Sequence, residues 1–246
     1  MKAFDERFLM DLPHCVTLSH VAETGSTNDD LKLAARAGAP DYTLRVADRQ
    51  TGGRGRTGHS FYSEKGLYMS ILLPVQEETM PFVTPIAAVA VARAIRDLTK
   101  QSALVKWVND VFVNDKKVCG ILSESVVAEG GRRVVVGIGV NLDLPESDFP
   151  EDIRSTAGSI SADRSVLAAT ILRHLFDLLD GGDLDALRKE YRALCFLVGK
   201  EIVVKKEAGH RKATALGLTD DLALSVRYDD GSQEDLIAGE VGVRLL

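Results

Sequence analysis

The sequence predicts an α+β chain, with a strand–helix mixture over residues 1–197 and a small β-barrel over residues 198–246. Three observations carry this. Residues 104–142 alternate as Val/Ile/Phe-rich runs around Asn114-Asp115 and Glu129-Gly130-Gly131, the pattern of a β-meander. Apolar positions recur at helical spacing over 28–37, 84–98, 163–180 and 183–196. After Gly199 the texture changes to short alternating runs broken by Glu207-Ala208-Gly209, Asp220-Asp221 and Asp229-Asp230-Gly231, which suits a small barrel.

In chain order, residues 16–22 alternate as a strand. Ser26, Thr27 or Asn28 can cap the helix that follows, and Gly38 can stop it. Residues 42–47 read as another strand. From Gln50 to Gly66 the chain is rich in Gly, Arg, Thr and Ser before an apolar strand over 67–73. Thr84-Pro85 is a helix start, a cap followed by Pro at the first helical position, with an Ala/Val/Ile face for a sheet. A polar connection over 145–161 leads to two helices separated by Gly181-Gly182, with Asp183 as the second cap.

Composition excludes several classes of function. With Lys+Arg 30 against Asp+Glu 36 the formal charge is −6, which argues against binding DNA by general phosphate neutralisation. No apolar run approaches the roughly 20 residues of a membrane span, and Asp5, Glu6 and Asp11 make the N-terminus unlike a secretory signal. Cys15, Cys119 and Cys195 have no CxxC spacing, which suits a reducing cytoplasm. His14, His20, His59, His174 and His210 form no i,i+4 pair, and G-x-S-x-G is absent.

Four segments could carry chemistry. Gln50-Thr51-Gly52-Gly53-Arg54-Gly55-Arg56-Thr57-Gly58 contains G-x-G-x-x-G, but a strand follows where a dinucleotide fingerprint needs a helix. It reads either as a solvated hairpin loop or as two Arg forks and exposed N–H groups set to close on a carboxylate or phosphate. Lys106-Trp107-Val108-Asn109-Asp110, with Lys117 soon after, reads either as an ordinary strand end or as a cluster of two cations and one carboxylate. In the second reading Asp110 could hold Mg²⁺ and Asn109 could meet a base or phosphate. Gly137-Ile138-Gly139-Val140-Asn141 places an amide inside an apolar run, satisfied by backbone or by a ligand's polar edge. Ser26-Thr27-Asn28 is either a simple N-cap or a set of hydroxyls aimed at a small polar ring.

Taken in order, these segments resemble the biotin protein ligase family. The matching pieces are Ser26-Thr27-Asn28, Gln-x-x-Gly-Arg-Gly-Arg-x-Gly over 50–58, Lys-Trp-x-Asn-Asp over 106–110, Lys-x-x-Gly-Ile-Leu over 117–122 and Gly-x-Asn over 139–141. Gly239-Glu240-Val241-Gly242-Val243-Arg244 is similar to the family's last strands. The resemblance implies a class II aminoacyl-tRNA synthetase/biotin synthetase-like mixed sheet with helices, followed by an SH3-like barrel. It also implies ATP-dependent formation of biotinyl-5′-AMP, then transfer of the biotinyl group to a lysine of a biotin carboxyl carrier protein of acetyl-CoA carboxylase or a related carboxylase.

By the same resemblance, Ser26, Thr27, Asn28 and Gln50 meet the biotin ring, while Arg54, Gly55 and Arg56 close over the acyl phosphate. Lys117 contacts the biotin carboxyl group. Arg56, Lys106, Asn109 and Asn141 lie near ATP, and Asp110 near Mg²⁺. Arg54, Arg56 and Lys117 are the expected catalytic set. The chain departs from the family at Val108 (usually Pro), His59 (Arg or Lys), Phe61 (Trp) and Cys119 (Ala). About 25 residues precede Ser26, too few for the winged helix-turn-helix of repressor members. The expectation is therefore a monofunctional cytoplasmic enzyme that binds neither DNA nor membrane, with a homodimer left open. Two rivals remain: a lipoate or octanoate ligase of the same fold, and a non-catalytic biotin sensor.

Overall fold

The computed structural model describes residues 4–53, 55, 65–206, 209–237 and 240–243. A short 3₁₀ turn (Glu6–Leu9) leads into β1 (Thr17–Thr24), α1 (Thr27–Arg36), β2 (Thr43–Gln50) and β3 (Gly66–Leu73). Then come α2 (Val83–Thr99), β4 (Ala103–Lys106), β5 (Asp110–Val113), β6 (Lys116–Ala128) and β7 (Gly131–Asn141). After α3 (Arg164–Gly181) and α4 (Leu184–Leu194) the chain ends in β8 (Glu201–Lys206), β9 (Gly209–Leu218), β10 (Leu224–Tyr228), β11 (Gln233–Leu236) and β12 (Glu240–Val243).

The first seven strands form one mixed sheet in the order β1-β2-β3-β7-β6-β5-β4. Only β1 and β2 run parallel within it, as a strand–helix–strand unit requires. The last five form a separate antiparallel sheet in the order β11-β10-β9-β8-β12. Both the mixed sheet with helices and the C-terminal all-β unit are thus as expected.

Turn chemistry sets the hairpins. Asn114 and Asp115 both have positive φ (51° and 59°), the requirement of a two-residue type I′ connection between β5 and β6. Helix ends follow the caps: Ser26 accepts from Asp29 N–H, Asp163 from Ser165 and Val166 N–H, and Asp183 from Ala186 N–H.

Two local expectations change. α2 begins at Val83, after a 3₁₀ turn over Met80–Phe82, and Thr84 does not cap it. The Thr84 hydroxyl instead donates to Ser123 Oγ at 2.9 Å, and Pro85 sits in the first turn, where its missing N–H leaves no bond unmade. α4 ends at Leu194, because Cys195 pairs with the β4 edge and Phe196 N–H donates to Val105 O at 3.2 Å.

The alternation of side chains along the mixed sheet divides its two faces. Leu67, Met69, Ile71 and Leu73 of β3 join Val134, Val136, Ile138 and Val140 of β7 in the large core beneath α2 and α3. The opposite face carries a smaller cluster, Leu31, Ala35, Leu72, Val126 and Val135, under α1. Beyond that cluster the same face bears Tyr68, Ser70, Gly120, Gly137, Gly139 and Asn141. Small and polar residues there give the sheet a floor on which a ligand can lie, and this positions the site.

Side chains tie the two sheets together. The buried Trp107 donates its indole N–H to Leu222 O at 2.8 Å. Arg192 of α4 donates to the carbonyls of Leu218 and Thr219, and Arg188 to that of Asp220. Trp107→Phe should leave the Leu222 carbonyl unpaired at a cost of about 2 kcal/mol. For a chain of this size that is a Tm fall of roughly 4–8 °C, readable by calorimetry. An unchanged Tm would show that the bond contributes nothing to stability.

Candidate active site

The first half of the site is built where α1 starts. Gly52 N–H donates to Gly25 O at 2.8 Å and Thr51 N–H to Thr24 O at 3.0 Å, so the end of β2 is zipped to the β1–α1 turn. This brings Gln50 against the first turn of the helix. Its Oε1 accepts from Thr27 N–H at 2.8 Å and from the Thr27 hydroxyl at 3.0 Å, which fixes the orientation of the amide. Ser26, Thr27 and Asn28 are all buried.

Asn28, expected to touch a ligand ring, has its whole amide engaged by protein. Nδ2 donates to Leu122 O at 3.1 Å and to Glu124 Oε2 at 2.8 Å, and Oδ1 lies 2.6 Å from Ser70 Oγ. Lys32 holds the other Glu124 oxygen at 2.6 Å and Asp29 at 3.0 Å. Burial works to lower the Lys32 pKa, but the hydrogen bonds to these carboxylates outweigh it and hold the group above its ordinary value. Ser70, Glu124 and Lys32 were not legible as site residues, because nothing in their sequence spacing links a mid-strand Ser to a helix cap.

The second half lies across the sheet. Gly120 pairs with Asp110 on β5 and with Gly139 on β7, and Gly139 pairs with Tyr68 on β3. This row is displaced two residues, about 7 Å, from the row of Leu122, Gly137 and Ser70.

A bulge decides where Lys117 points. The β5–β6 register runs Val111 opposite Cys119 but Phe112 opposite Lys117, leaving Val118 as the extra residue. Val118 and Cys119 both face the large core, so Lys117 emerges on the face of Asp110 and Gly120. Its Nζ lies 2.8 Å from Asp110 Oδ1. The contact is an ion pair, and the buried Oδ1 has no hydrogen-bond partner among the described residues. Lys106 lies opposite Asp110 in the β4–β5 hairpin. Asn109 clamps the neighbouring strand: its Nδ2 donates to Ile121 O at 2.8 Å and its carbonyl accepts from Ile121 N–H at 3.0 Å. Val108 follows Trp107 through a cis peptide, and its carbonyl accepts from the Tyr191 hydroxyl at 3.1 Å.

The polar connection over 145–161 also contributes. Lys117 N–H donates to Thr156 O at 2.7 Å and Gly158 N–H to Lys117 O at 2.8 Å, so the segment lies beside the start of β6. Gly158 is required there, since a Cβ would stand 2.6 Å from Lys116 Cβ. Its carbonyl accepts from Asn141 Nδ2 at 3.0 Å. Asn141 is only 5% exposed, and its Oδ1 has no partner among the described residues. Gly53 is buried and Gly55 half-buried at the loop's start. Arg54, Arg56, Gly58, His59 and Phe61 lie outside the described residues.

Cys119 is a buried apolar filler. Burial pushes its thiol pKa far up, and the nearby Asp110 carboxylate adds to that. Burial also raises the Cys195 thiol, whereas Cys15 is exposed. A thiol reagent at neutral pH should therefore titrate one of the three cysteines in the folded chain and the other two only on unfolding. A second rapidly reacting thiol would contradict the packing described.

The arrangement offers, on one face, an end with hydroxyl and amide groups and an end with a cation held by one carboxylate. Residues 22–141, which contain both ends, match the family model described as the biotin/lipoate A/B protein ligase family. Over 222 residues the chain is 31% identical to the bifunctional ligase/repressor BirA of Bacillus subtilis, covering 84% of this chain and 68% of that protein. It is 30% identical over 205 residues to the biotin–[acetyl-CoA-carboxylase] ligase of Mycobacterium tuberculosis, covering 78% and 76% of the two chains. A solved biotin protein ligase from Aquifex aeolicus, in complex with biotin and ATP, matches with a TM-score of 0.75 at 26% identity, over 93% of this chain and 98% of that one.

Proposed function

Because the chain belongs to the biotin/lipoate A/B protein ligase family, we propose that it activates biotin with ATP and transfers the biotinyl group to a lysine of a biotin carboxyl carrier protein. The observation that carries this reading is the pairing on one sheet face of a polar ring-binding end with the Lys117–Asp110 cation end. A urea ring presents one carbonyl and two N–H groups, which the hydroxyl and amide groups of Ser26, Thr27 and Gln50 can satisfy. A lipoyl dithiolane has neither, and binding it there would leave buried polar groups unpaired at about 1–3 kcal/mol each. This favours biotin over lipoate or octanoate.

In the first step a biotin carboxylate oxygen forms a bond to the α-phosphorus of ATP, and the bond to pyrophosphate breaks. Two anions must approach, so the site has to supply positive charge, and no protein nucleophile is needed. Lys117 supplies one such charge at the carboxylate, and we assign Arg54, Gly55 and Arg56 to close over the acyl phosphate. A bound carboxylate competes with Asp110 for the Lys117 ammonium, so the ion pair keeps the cation poised in the free chain.

In the second step the carrier lysine's neutral amine attacks the acyl carbon, AMP leaves, and the amine loses a proton. Lys106, Asn109 and Asn141 are assigned to ATP with Arg56. The buried acceptor of Asn141 suits an amino group of the base.

Among the described residues no group of three or more His, Cys, Asp or Glu could hold a metal ion. The single carboxylate of Asp110 beside Lys117 fits an ion that arrives on the triphosphate, with Asp110 as its protein ligand. Magnesium bound in that way would offset phosphate charge.

We assign residues 1–197 to the catalytic unit and 198–246 to the C-terminal barrel. Among the described residues no helix is long and apolar enough to cross a membrane. The test is mass spectrometry of a biotin carboxyl carrier domain incubated with the chain, ATP, Mg²⁺ and biotin. One biotinyl addition on one lysine is expected, and an unmodified carrier would overturn the proposal.

A further inference from the structure

A proton inventory around Thr27 constrains what the ring end of the site can recognise. Three oxygen–oxygen contacts run in series: Gln50 Oε1 to Thr27 Oγ1 at 3.0 Å, Thr27 Oγ1 to Ser70 Oγ at 2.8 Å, and Ser70 Oγ to Asn28 Oδ1 at 2.6 Å. Only two hydroxyl protons, those of Thr27 and Ser70, are available to fill them. One is committed. Asn28 Nδ2 faces two acceptors, Leu122 O and Glu124 Oε2, so the amide cannot flip and its Oδ1 must face Ser70. An amide oxygen cannot donate, so the Ser70 proton lies on that contact. Ser70 is fully buried and therefore offers Thr27 a lone pair.

The Thr27 proton then has two internal acceptors, Ser70 Oγ and Gln50 Oε1, and serves one or the other. If it turned toward a ligand, both contacts would become close approaches of lone pairs with no proton between them.

We propose that Ser70, locked by Asn28 and the Glu124–Lys32 pair, is a positioning residue that together with Gln50 Oε1 makes Thr27 an obligate hydrogen-bond acceptor, so that the site selects a ring presenting an N–H at that point. The donors of the same end are the Ser26 hydroxyl proton and Gln50 Nε2, neither of which has a partner among the described residues. One acceptor facing two donors matches one N–H and the carbonyl of a cyclic urea. The inference rests on the biotin reading and refines it: discrimination at this end comes from a residue that need not touch the ligand.

The test uses biotin and the two carbamate analogues in which each ureido N–H in turn is replaced by oxygen, with binding measured by calorimetry on the full chain. One carbamate should bind the unmodified chain on the order of 100-fold more weakly than biotin, since it sets an oxygen against an acceptor that cannot supply a proton. Ser70→Ala removes one of the two lone-pair approaches that oppose turning the Thr27 proton toward a ligand, the contact with Gln50 Oε1 at 3.0 Å remaining. That variant should shrink the discrimination severalfold while leaving the KM for ATP unchanged, and Ser70→Thr, which keeps the hydroxyl, should restore it. A purely structural role for Ser70 would weaken biotin and both carbamates alike, and an unchanged ratio would overturn the inference. So would equal binding of all three by the unmodified chain, a result that needs no variant to fold. Failure of the unmodified chain to bind biotin at all would instead overturn the biotin reading, and the refinement with it.

Discussion

Lys117→Gln is expected to slow formation of biotinyl-5′-AMP by about 100- to 1,000-fold in a single-turnover experiment, the usual cost of removing a preorganised charge aimed at a reacting anion. Gln fits the space and can still donate a hydrogen bond, so the loss isolates charge from shape. Biotin affinity should fall much less, because the ring end is untouched. Stability should change by no more than about 1 kcal/mol, since the Lys117 side chain is 37% exposed and its pairing with Asp110 is partly screened. Lys117→Arg should recover only part of the rate, because a planar guanidinium on a longer stem places its charge differently. If Lys117→Gln formed the adenylate at the unmodified rate, the assignment of that cation to the first step would be lost.

Gly137→Ala should damage the other end of the site. A Cβ at position 137 would stand 2.1 Å from Asn28 Oδ1 and 2.8 Å from its Cγ, so the Asn28 side chain must shift and strain its bonds to Ser70, Leu122 and Glu124. Overpacking of this kind costs about 1–3 kcal/mol, and each partner that the Asn28 amide loses adds about 1 kcal/mol or more. A destabilisation of about 3 kcal/mol corresponds to a Tm fall of roughly 6–12 °C at this chain length. Displacement of Thr27 should also weaken biotin at least tenfold by calorimetry, with the KM for ATP little changed. Gly181→Ala is the matched control, because nothing lies within 4 Å of a Cβ there. Equal stability and affinity for Gly137→Ala and Gly181→Ala would contradict the role given to the glycine floor.

The parts of this site that could be read from the sequence are those whose signal is local. Ser26 behaves as the cap that its position before a helical period predicts, and the Asn114-Asp115 turn forms the hairpin its residues require. The mixed sheet and the C-terminal all-β unit follow from changes of period along the chain. What remained hidden depends on register and on contacts between distant strands. A two-residue period would put Lys117 and Gly120 on opposite faces, and only the bulge at Val118 brings Lys117 to Asp110. Asn28 reads as a ligand contact by its place in a motif, yet the fold engages its amide with Leu122, Glu124 and Ser70. Ser70 sits in a strand buried along its whole length, where a lone hydroxyl looks like an accident of composition until α1 is placed above it. The segment over 145–161 reads as a plain connection, although Thr156 and Gly158 pair with Lys117 and Gly158 also receives Asn141.

Isotope exchange between pyrophosphate and ATP, run with the unmodified chain, probes the union of ring end and cation end most directly, because it needs both and no carrier protein. Exchange that requires biotin and is not supported by lipoate or octanoate is the predicted result. Exchange that proceeds equally with lipoate, or tight biotin binding with no exchange, would contradict it.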